Sequence, residues 1–190
     1  SMDSLATFVV ALQEGTPNEE NITFRFAWGD GSAREWNSDS QAAHTWTTPE
    51  DLQVNISVRN EWGKQVNYFP NISVSNVVPL INWTATTDSV QAADSALFQV
   101  MVSDTFSDQS TLSVEWFVDG VLVEGVSNLL ILLTLTEAGL HNISATVTDS
   151  HGEYATIQAQ IEVIGLQVAE MDLMIFDGFL VGDTIFSSIT

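Results

Sequence analysis

The feature that most constrains this chain is a two-part phrase, Phe24-Arg-Phe-Ala-Trp-Gly-Asp-Gly-Ser32 followed by His44-Thr-Trp-Thr-Thr-Pro-Glu-Asp-Leu-Gln-Val-Asn-Ile-Ser-Val-Arg-Asn-Glu-Trp-Gly63. Alternation of apolar and polar residues specifies a half-buried strand, because successive side chains of an extended chain point to opposite faces. In the second part Leu52, Val54, Ile56 and Val58 share one parity, and Gln53, Asn55, Ser57 and Arg59 the other. The glycines on either side of Asp30 permit the sharp reversal that ends the first strand. The phrase returns about one domain length later as Val114-Glu-Trp-Phe-Val-Asp-Gly120 and Ala138-Gly-Leu-His-Asn-Ile-Ser-Ala-Thr-Val-Thr-Asp-Ser-His-Gly152. A strand grammar repeated at that interval predicts two β-sandwiches in tandem.

These segments resemble the polycystic kidney disease (PKD) domain, an immunoglobulin-like module of extracellular proteins. The family phrase runs Trp-x-Phe-Gly-Asp-Gly, then a His-Thr-Tyr-like stretch and a Thr-Val-rich strand; here Ala27 and Trp28 precede Gly29. The resemblance implies an all-β fold of tandem immunoglobulin-like (PKD-type) sandwiches and a role in spacing, display or adhesion, not an enzyme. It divides the chain into 1–77, 78–165 and a remainder, 166–190. In that remainder Met171-Asp-Leu-Met-Ile-Phe176 and Phe179-Leu-Val-Gly-Asp-Thr-Ile-Phe186 resemble the first strand pair of a cell-adhesion-related (CARDB-like) domain. Extra strands of the second sandwich are the alternative. Helical periodicity is nowhere sustained. The link Ser75-Asn-Val-Val78 is too short to be flexible, which predicts a semi-rigid, end-to-end rod.

Within the first sandwich, strands are expected at 8–12, 22–28, 52–60 and 65–74, with an irregular acidic loop after Gly31 running through Asp39. In the second they are expected at 80–85, 96–102, 111–118, 121–124, 129–136, 141–148 and 154–163.

Composition sets the partners. A hydrophobic share of 45% in 190 residues provides real cores despite a formal net charge of −21. Four Lys plus Arg stand against 25 Asp plus Glu. Such a chain lacks the cationic surface that phosphate backbones require, which excludes nucleic acid, and it is not drawn to anionic membrane surfaces. An acidic surface suits high ionic strength, where salt screens its self-repulsion. That points to a marine or halophilic prokaryote, including archaea. There is no cysteine, so no disulfide framework, and the most apolar run, Leu129-Leu-Ile-Leu-Leu133, is far below membrane-spanning length. Ser1-Met2 reads as a scar of tag removal, and the chain as a fragment of a longer surface protein.

Candidate sites are few. Asp104 and Asp108, in Ser103-Asp-Thr-Phe-Ser-Asp108, with Asp149 from a later turn, offer oxygens from two loops at one pole, the donor type Ca²⁺ takes. Solvated turn aspartates are the simpler reading. Asp30 and Asp119 read as turn-capping residues. His44, His141 and His151 have no metal-ligand spacing, and no nucleophile or zinc-protease motif occurs. Trp28 and Trp116 belong to core strands. Trp36, Trp46 and Trp62 lie in or beside loops, where they would stack on sugars or meet a protein, or pack against the sandwich. Five Asn-x-Ser/Thr sequons, at Asn21, Asn55, Asn71, Asn82 and Asn142, are glycosylation candidates for an extracellular glycoprotein. The function expected is therefore a non-enzymatic spacer or adhesion module of a cell-surface or S-layer-type protein, touching other surface proteins or glycans. The alternative is the accessory, substrate-proximity or carbohydrate-binding region of a secreted hydrolase. Three exposed tryptophans in a flat strip would favour the alternative, and their burial the first.

Overall fold

The computed structural model describes residues 1–13 and 21–166, and every regular element among them is a strand. The first eight are β1 (Leu5–Val9), β2 (Thr23–Ala27), β3 (Ala33–Asn37), β4 (Gln41–Thr45), β5 (Glu50–Gln53), β6 (Asn55–Arg59), β7 (Gln65–Tyr68) and β8 (Asn71–Val74). They form a four-stranded sheet in the order β3-β2-β6-β7, opposed by two short ladders, β1-β4 and β5-β8. Phe24, Phe26 and Trp28 from the sheet side meet Ala42, Trp46, Leu52 and Val74 in one core.

The second eight are β9 (Leu80–Ala85), β10 (Ser89–Gln91), β11 (Ser95–Ser103), β12 (Ser113–Val118), β13 (Val121–Leu122), β14 (Leu130–Thr134), β15 (Gly139–Thr148) and β16 (Tyr154–Ile164). A five-stranded sheet, β10-β16-β15-β12-β13, faces a three-stranded one, β14-β11-β9. Phe98, Val114, Trp116, Ile131, Ile143 and Val147 fill the space between them. No ladder among the described residues joins β1–β8 to β9–β16. The chain is thus all-β, built as immunoglobulin-like sandwiches in tandem, each closing on its own core. The strand pair expected in the C-terminal segment lies outside the described residues.

Several local expectations are corrected. The stretch 52–60, read as one strand, is β5 and β6, which belong to different layers; 65–74 divides likewise into β7 and β8. The hairpin crosses from one layer to the other where Val54 N–H donates to Pro70 O at 3.0 Å. Pro70 has no N–H to continue the ladder. Alternation survives the crossing, since Leu52, Val54 and Ile56 all point into the same core, so periodicity does not register it. Ser57, assigned to solvent by parity, is only 2% exposed because its hydroxyl is covered by Asn67, to which it donates at 2.7 Å.

The acidic loop after Gly31 is also ordered as strands. β3 pairs with β2 across a bulge, and β4 pairs with β1, Phe8 lying opposite Ala42. The first strand accordingly runs Leu5–Val9 and not over 8–12. Its partner is some 35 residues away in sequence, and non-local pairing of this kind leaves no mark on local periodicity. Met2, read as a remnant of tag removal, is 1% exposed in the first core, with its N–H donating to Ser75 O.

Trp116 is the largest fully buried side chain, and its indole N–H donates to Asn128 O at 2.9 Å. Trp116→Ala is expected to cost the second sandwich about 3–5 kcal/mol, because it removes buried apolar area, leaves a cavity and strands the Asn128 carbonyl. Urea denaturation would check this. An unchanged midpoint would mean that the ring contributes nothing to the core.

Candidate metal centre between the two sandwiches

The site grows from two turns and a link. Past β11 the chain turns sharply: Gln109 N–H and Asp108 N–H both donate to Thr105 O, and Asp104 N–H donates to the Gln109 side chain. That curl brings Asp104 and Asp108 to the pole of the second sandwich nearest the link. Asp149 arrives from the turn between β15 and β16, where His151 N–H and Glu153 N–H donate to its Oδ1 at 2.8 and 3.0 Å. One oxygen from each of the three aspartates lies within 4.8 Å of the others. The structure therefore brings Asp104, Asp108 and Asp149 together.

Asp108 is 1% exposed and Asp149 6%. Asp108 Oδ1 accepts from the Ser150 hydroxyl at 2.8 Å and lies 3.1 Å from His151 Nδ1. Its Oδ2 is buried with no hydrogen-bond partner, and so are Asp104 Oδ2 and Asn76 Oδ1. A buried carboxylate oxygen without a donor costs more than about 1–3 kcal/mol, the range for a neutral group. Three neighbouring carboxylates compound this by like-charge repulsion. No lysine or arginine follows Lys64 in the chain, so no permanently charged cation of the second sandwich compensates.

Ionisation follows the donors. Burial raises the Asp104 carboxyl above its ordinary range, and the charges of Asp108, Asp149 and Asp3 add to that against the Thr105 N–H. Burial acts on Asp149 in the same direction, but hydrogen bonds from Asn76, His151, Glu153 and Gly152 outweigh it and hold the group below its ordinary value. The cluster is thus a well-fixed carboxylate beside one whose charge is not compensated. Hard oxygen donors, charge to spare and no thiolate suit Ca²⁺ better than the softer transition metals.

Two residues absent from the sequence reading tie this cluster to the first sandwich. Asn76, in the link, donates from Nδ2 to Asp149 Oδ2 at 2.7 Å. Asp3 accepts from Ser107 N–H at 2.8 Å and from the Ser107 hydroxyl at 2.9 Å, while its own N–H donates to Trp46 O. Asn76 carried one legible signal, an amide side chain in the middle of a link between sandwiches. Asp3 carried none, since its partner is 104 residues away.

The turn aspartates have other duties. Asp30 Oδ1 accepts from Ser32 N–H and Oγ, and its Oδ2 meets His44 Nε2 at 2.7 Å. Burial works to raise its pKa, but the bonds from Ser32 and His44 pull it down to about 2. Asp119 is built alike, taking Asn142 N–H on Oδ1 and His141 Nδ1 on Oδ2. In both sandwiches a histidine from a later strand, β4 or β15, latches the turn aspartate. Both oxygens of each carboxylate already accept a hydrogen bond.

The tryptophans separate. Trp46 is 5% exposed in the first core, edge-on to Trp28 and donating from Nε1 to Trp28 O, so its placement as a ligand or interface residue is corrected. Trp36 is half-buried beneath the Arg59 guanidinium, 4.1 Å from the ring centre. Trp62 is 64% exposed. They form no flat strip. Of the sequons, Asn21, Asn71 and Asn82 are exposed, whereas Asn55 and Asn142 are half-buried.

No protein-family model and no curated protein sequence matches this chain. Among solved structures it is similar to the fibronectin(III)-like modules of Clostridium thermocellum CbhA, at 16% identity over 90% of this chain and 93% of that one, TM-score 0.42. It is also similar to the PKD1 domain of Vibrio anguillarum Epp, at 26% identity over 47% of this chain and 100% of that one, TM-score 0.36. A third is domains 4 and 5 of the S-layer protein SbsC, at 15% identity over 80% of this chain and 74% of that one, TM-score 0.35. The reading of the site rests on this chain's own geometry.

The second latch is testable by pH. His141 Nδ1 faces the Asp119 carboxylate and Nε2 faces Glu137 O at 2.9 Å, so both nitrogens donate only in the imidazolium form. The bond to Asp119 leads in raising the His141 pKa above 6.5. A raised folded pKa confers stability that is complete below the unfolded value and is lost as pH rises through the folded one. The second sandwich should therefore lose stability as pH climbs above about 6.5, and His141→Gln should remove that dependence. Denaturation midpoints from pH 5 to 9, with the His141 ring titration followed by NMR, would check it; a ring titrating at or below the ordinary value would refute it.

Proposed function

We propose that this chain is a non-enzymatic spacer or adhesion module of a cell-surface or S-layer-type protein, and that its two sandwiches meet at a Ca²⁺ site formed by Asp104, Asp108 and Asp149. The observation that carries the metal reading is Asp108, almost wholly buried with one carboxylate oxygen bonded to nothing, beside two further carboxylates. A divalent cation neutralises that arrangement directly. Ca²⁺ accepts six to eight oxygens in irregular geometry, whereas Mg²⁺ requires near-octahedral ligands and gives up water reluctantly.

The spacer reading is supported by the PKD-like phrases, by the short bonded link and by the surface chemistry. Two surface recesses of the first sandwich are lined by residues such as Phe8, Val58 and Val66, or by Arg59, Trp62 and Lys64, with no paired carboxylates or nucleophile and base. Partners would be other surface proteins or glycans outside the cell, with Asn21, Asn71 and Asn82 the exposed glycan acceptors. A PKD-type origin, a CARDB-like continuation and a marine, halophilic or archaeal source belong to the same proposal. The accessory-region reading loses its main support with Trp46 in the core.

Thermal melts in NaCl and CaCl₂ at matched ionic strength test the metal site. Monovalent salt should raise the melting temperature of so acidic a chain by screening. Calcium should raise it further, because a ligand bound only by the native state adds about 2.7 kcal/mol at one hundred times its Kd. That corresponds to roughly 10–20 °C for a domain of this size. Asp104→Asn should lose the calcium increment and yet melt no lower than the parent in EGTA, since it relieves repulsion while keeping an acceptor for Thr105 N–H. Coincident parent curves in the two salts would eliminate the site.

A further inference from the structure

Resting on that calcium reading, we infer that the site belongs to both sandwiches. Asn76 of the link supplies a ligand through Oδ1, so that an ion at the Asp104, Asp108 and Asp149 cluster sets the angle between the two units and makes their joint stiff or loose according to calcium.

The argument starts from the two ends of one amide. Asn76 Nδ2 is engaged by Asp149 Oδ2 at 2.7 Å, and this fixes which end of the group is oxygen, because the reverse orientation would set oxygen against carboxylate. The other end, Oδ1, is buried and accepts no hydrogen bond. Buried amide oxygens are almost always satisfied, and one left open on an amide already bonded to Asp149 of the cluster is explained by an acceptor of electron pairs shared with that cluster. Asn carbonyls are ordinary Ca²⁺ ligands alongside carboxylates.

Topology gives that ligand its consequence. Asn76 follows β8 of the first sandwich by two residues, and Ser75 O is held by Met2 N–H from the same sandwich's first core. The three aspartates come from β11–β12 and β15–β16 turns of the second. An ion bonded to both sets crosses the joint. Asp3 on Ser107 makes a second crossing that needs no ion, on the same loop as Asp104 and Asp108. The Asp3 bonds and the single Asn76–Asp149 hydrogen bond hold the joint without an ion and leave it a pivot; with Asn76 Oδ1 also fastened to an ion shared by the three aspartates, rotation about it is blocked. Without a cation, Asp3 also lies among the charges that act on Asp104, so the joint then gathers like charge across the interface.

The chain has no cysteine, so single cysteines at the exposed positions Ser38 and Glu124 place one spin label on each sandwich. Distance distributions from double electron–electron resonance, with Ca²⁺ affinity measured separately by calorimetry, test the inference. The parent should give a narrow distribution in millimolar CaCl₂ and a clearly broader one in EGTA. Asn76→Ala should bind Ca²⁺ about tenfold more weakly and stay broad even when saturated. Asn76→Asp should be broad in EGTA, where it repels Asp149, but narrow with Ca²⁺ and bind at least as tightly as the parent. A purely structural hydrogen bond from Asn76 to Asp149 predicts the opposite, an Asp variant broad under both conditions, and that result would overturn the inference. So would a parent that binds Ca²⁺ with no change in width, which would leave the calcium reading standing. A parent showing no calcium heat would bring down both.

Discussion

With four basic side chains to offset 25 acidic ones, apolar burial has to hold this fold together. Among the described residues Arg34–Asp39 is the one ion pair that involves a lysine or arginine, and it is exposed, where such pairs contribute little. Everything else depends on sheets closing over Trp28 and Trp46 in one sandwich and Trp116 in the other. Each core is complete in itself. That independence is what makes the connection between the units a separate problem, one that polar groups solve.

The polar groups are placed by the folds and not by one another. Both turns that follow the central tryptophan strand put an aspartate under a histidine, and in both each carboxylate oxygen has a donor from its own neighbourhood. The pole facing the link is different. There the turns deliver three carboxylates to one place with too few N–H and O–H donors to satisfy them. The same residue type is a turn cap in one location and an unsatisfied anion in another, and the difference is the count of donors within reach.

Charge composition and site chemistry then bear on one another. A chain of this balance repels itself, and the repulsion is worst where carboxylates are buried, since water cannot screen them. Placing such a cluster at the joint concentrates that repulsion beside the link between the sandwiches. Without a cation the joint is held by the Asp3–Ser107 bonds, the Asn76–Asp149 bond and the link.

The sequence by itself determined the class of fold, the repeat and the core tryptophans Trp28 and Trp116, because alternation and turn glycines are local properties of extended chain. It also marked Asp104, Asp108 and Asp149, as oxygen-bearing turns at one pole. It misplaced Trp46 and Ser57 and overlooked β3, β4 and β10, whose positions follow from partners far along the chain: β1 for β4, β16 for β10, Asn67 for Ser57. The crossing at Val54 and Pro70 was equally invisible, since a strand keeps its alternation while passing between layers. Only the tertiary structure decided that Asn76 and Asp3 reach the acidic cluster, and that its oxygens are buried and unpartnered. Donor satisfaction is a property of three-dimensional neighbours, and no spacing in the sequence encodes it.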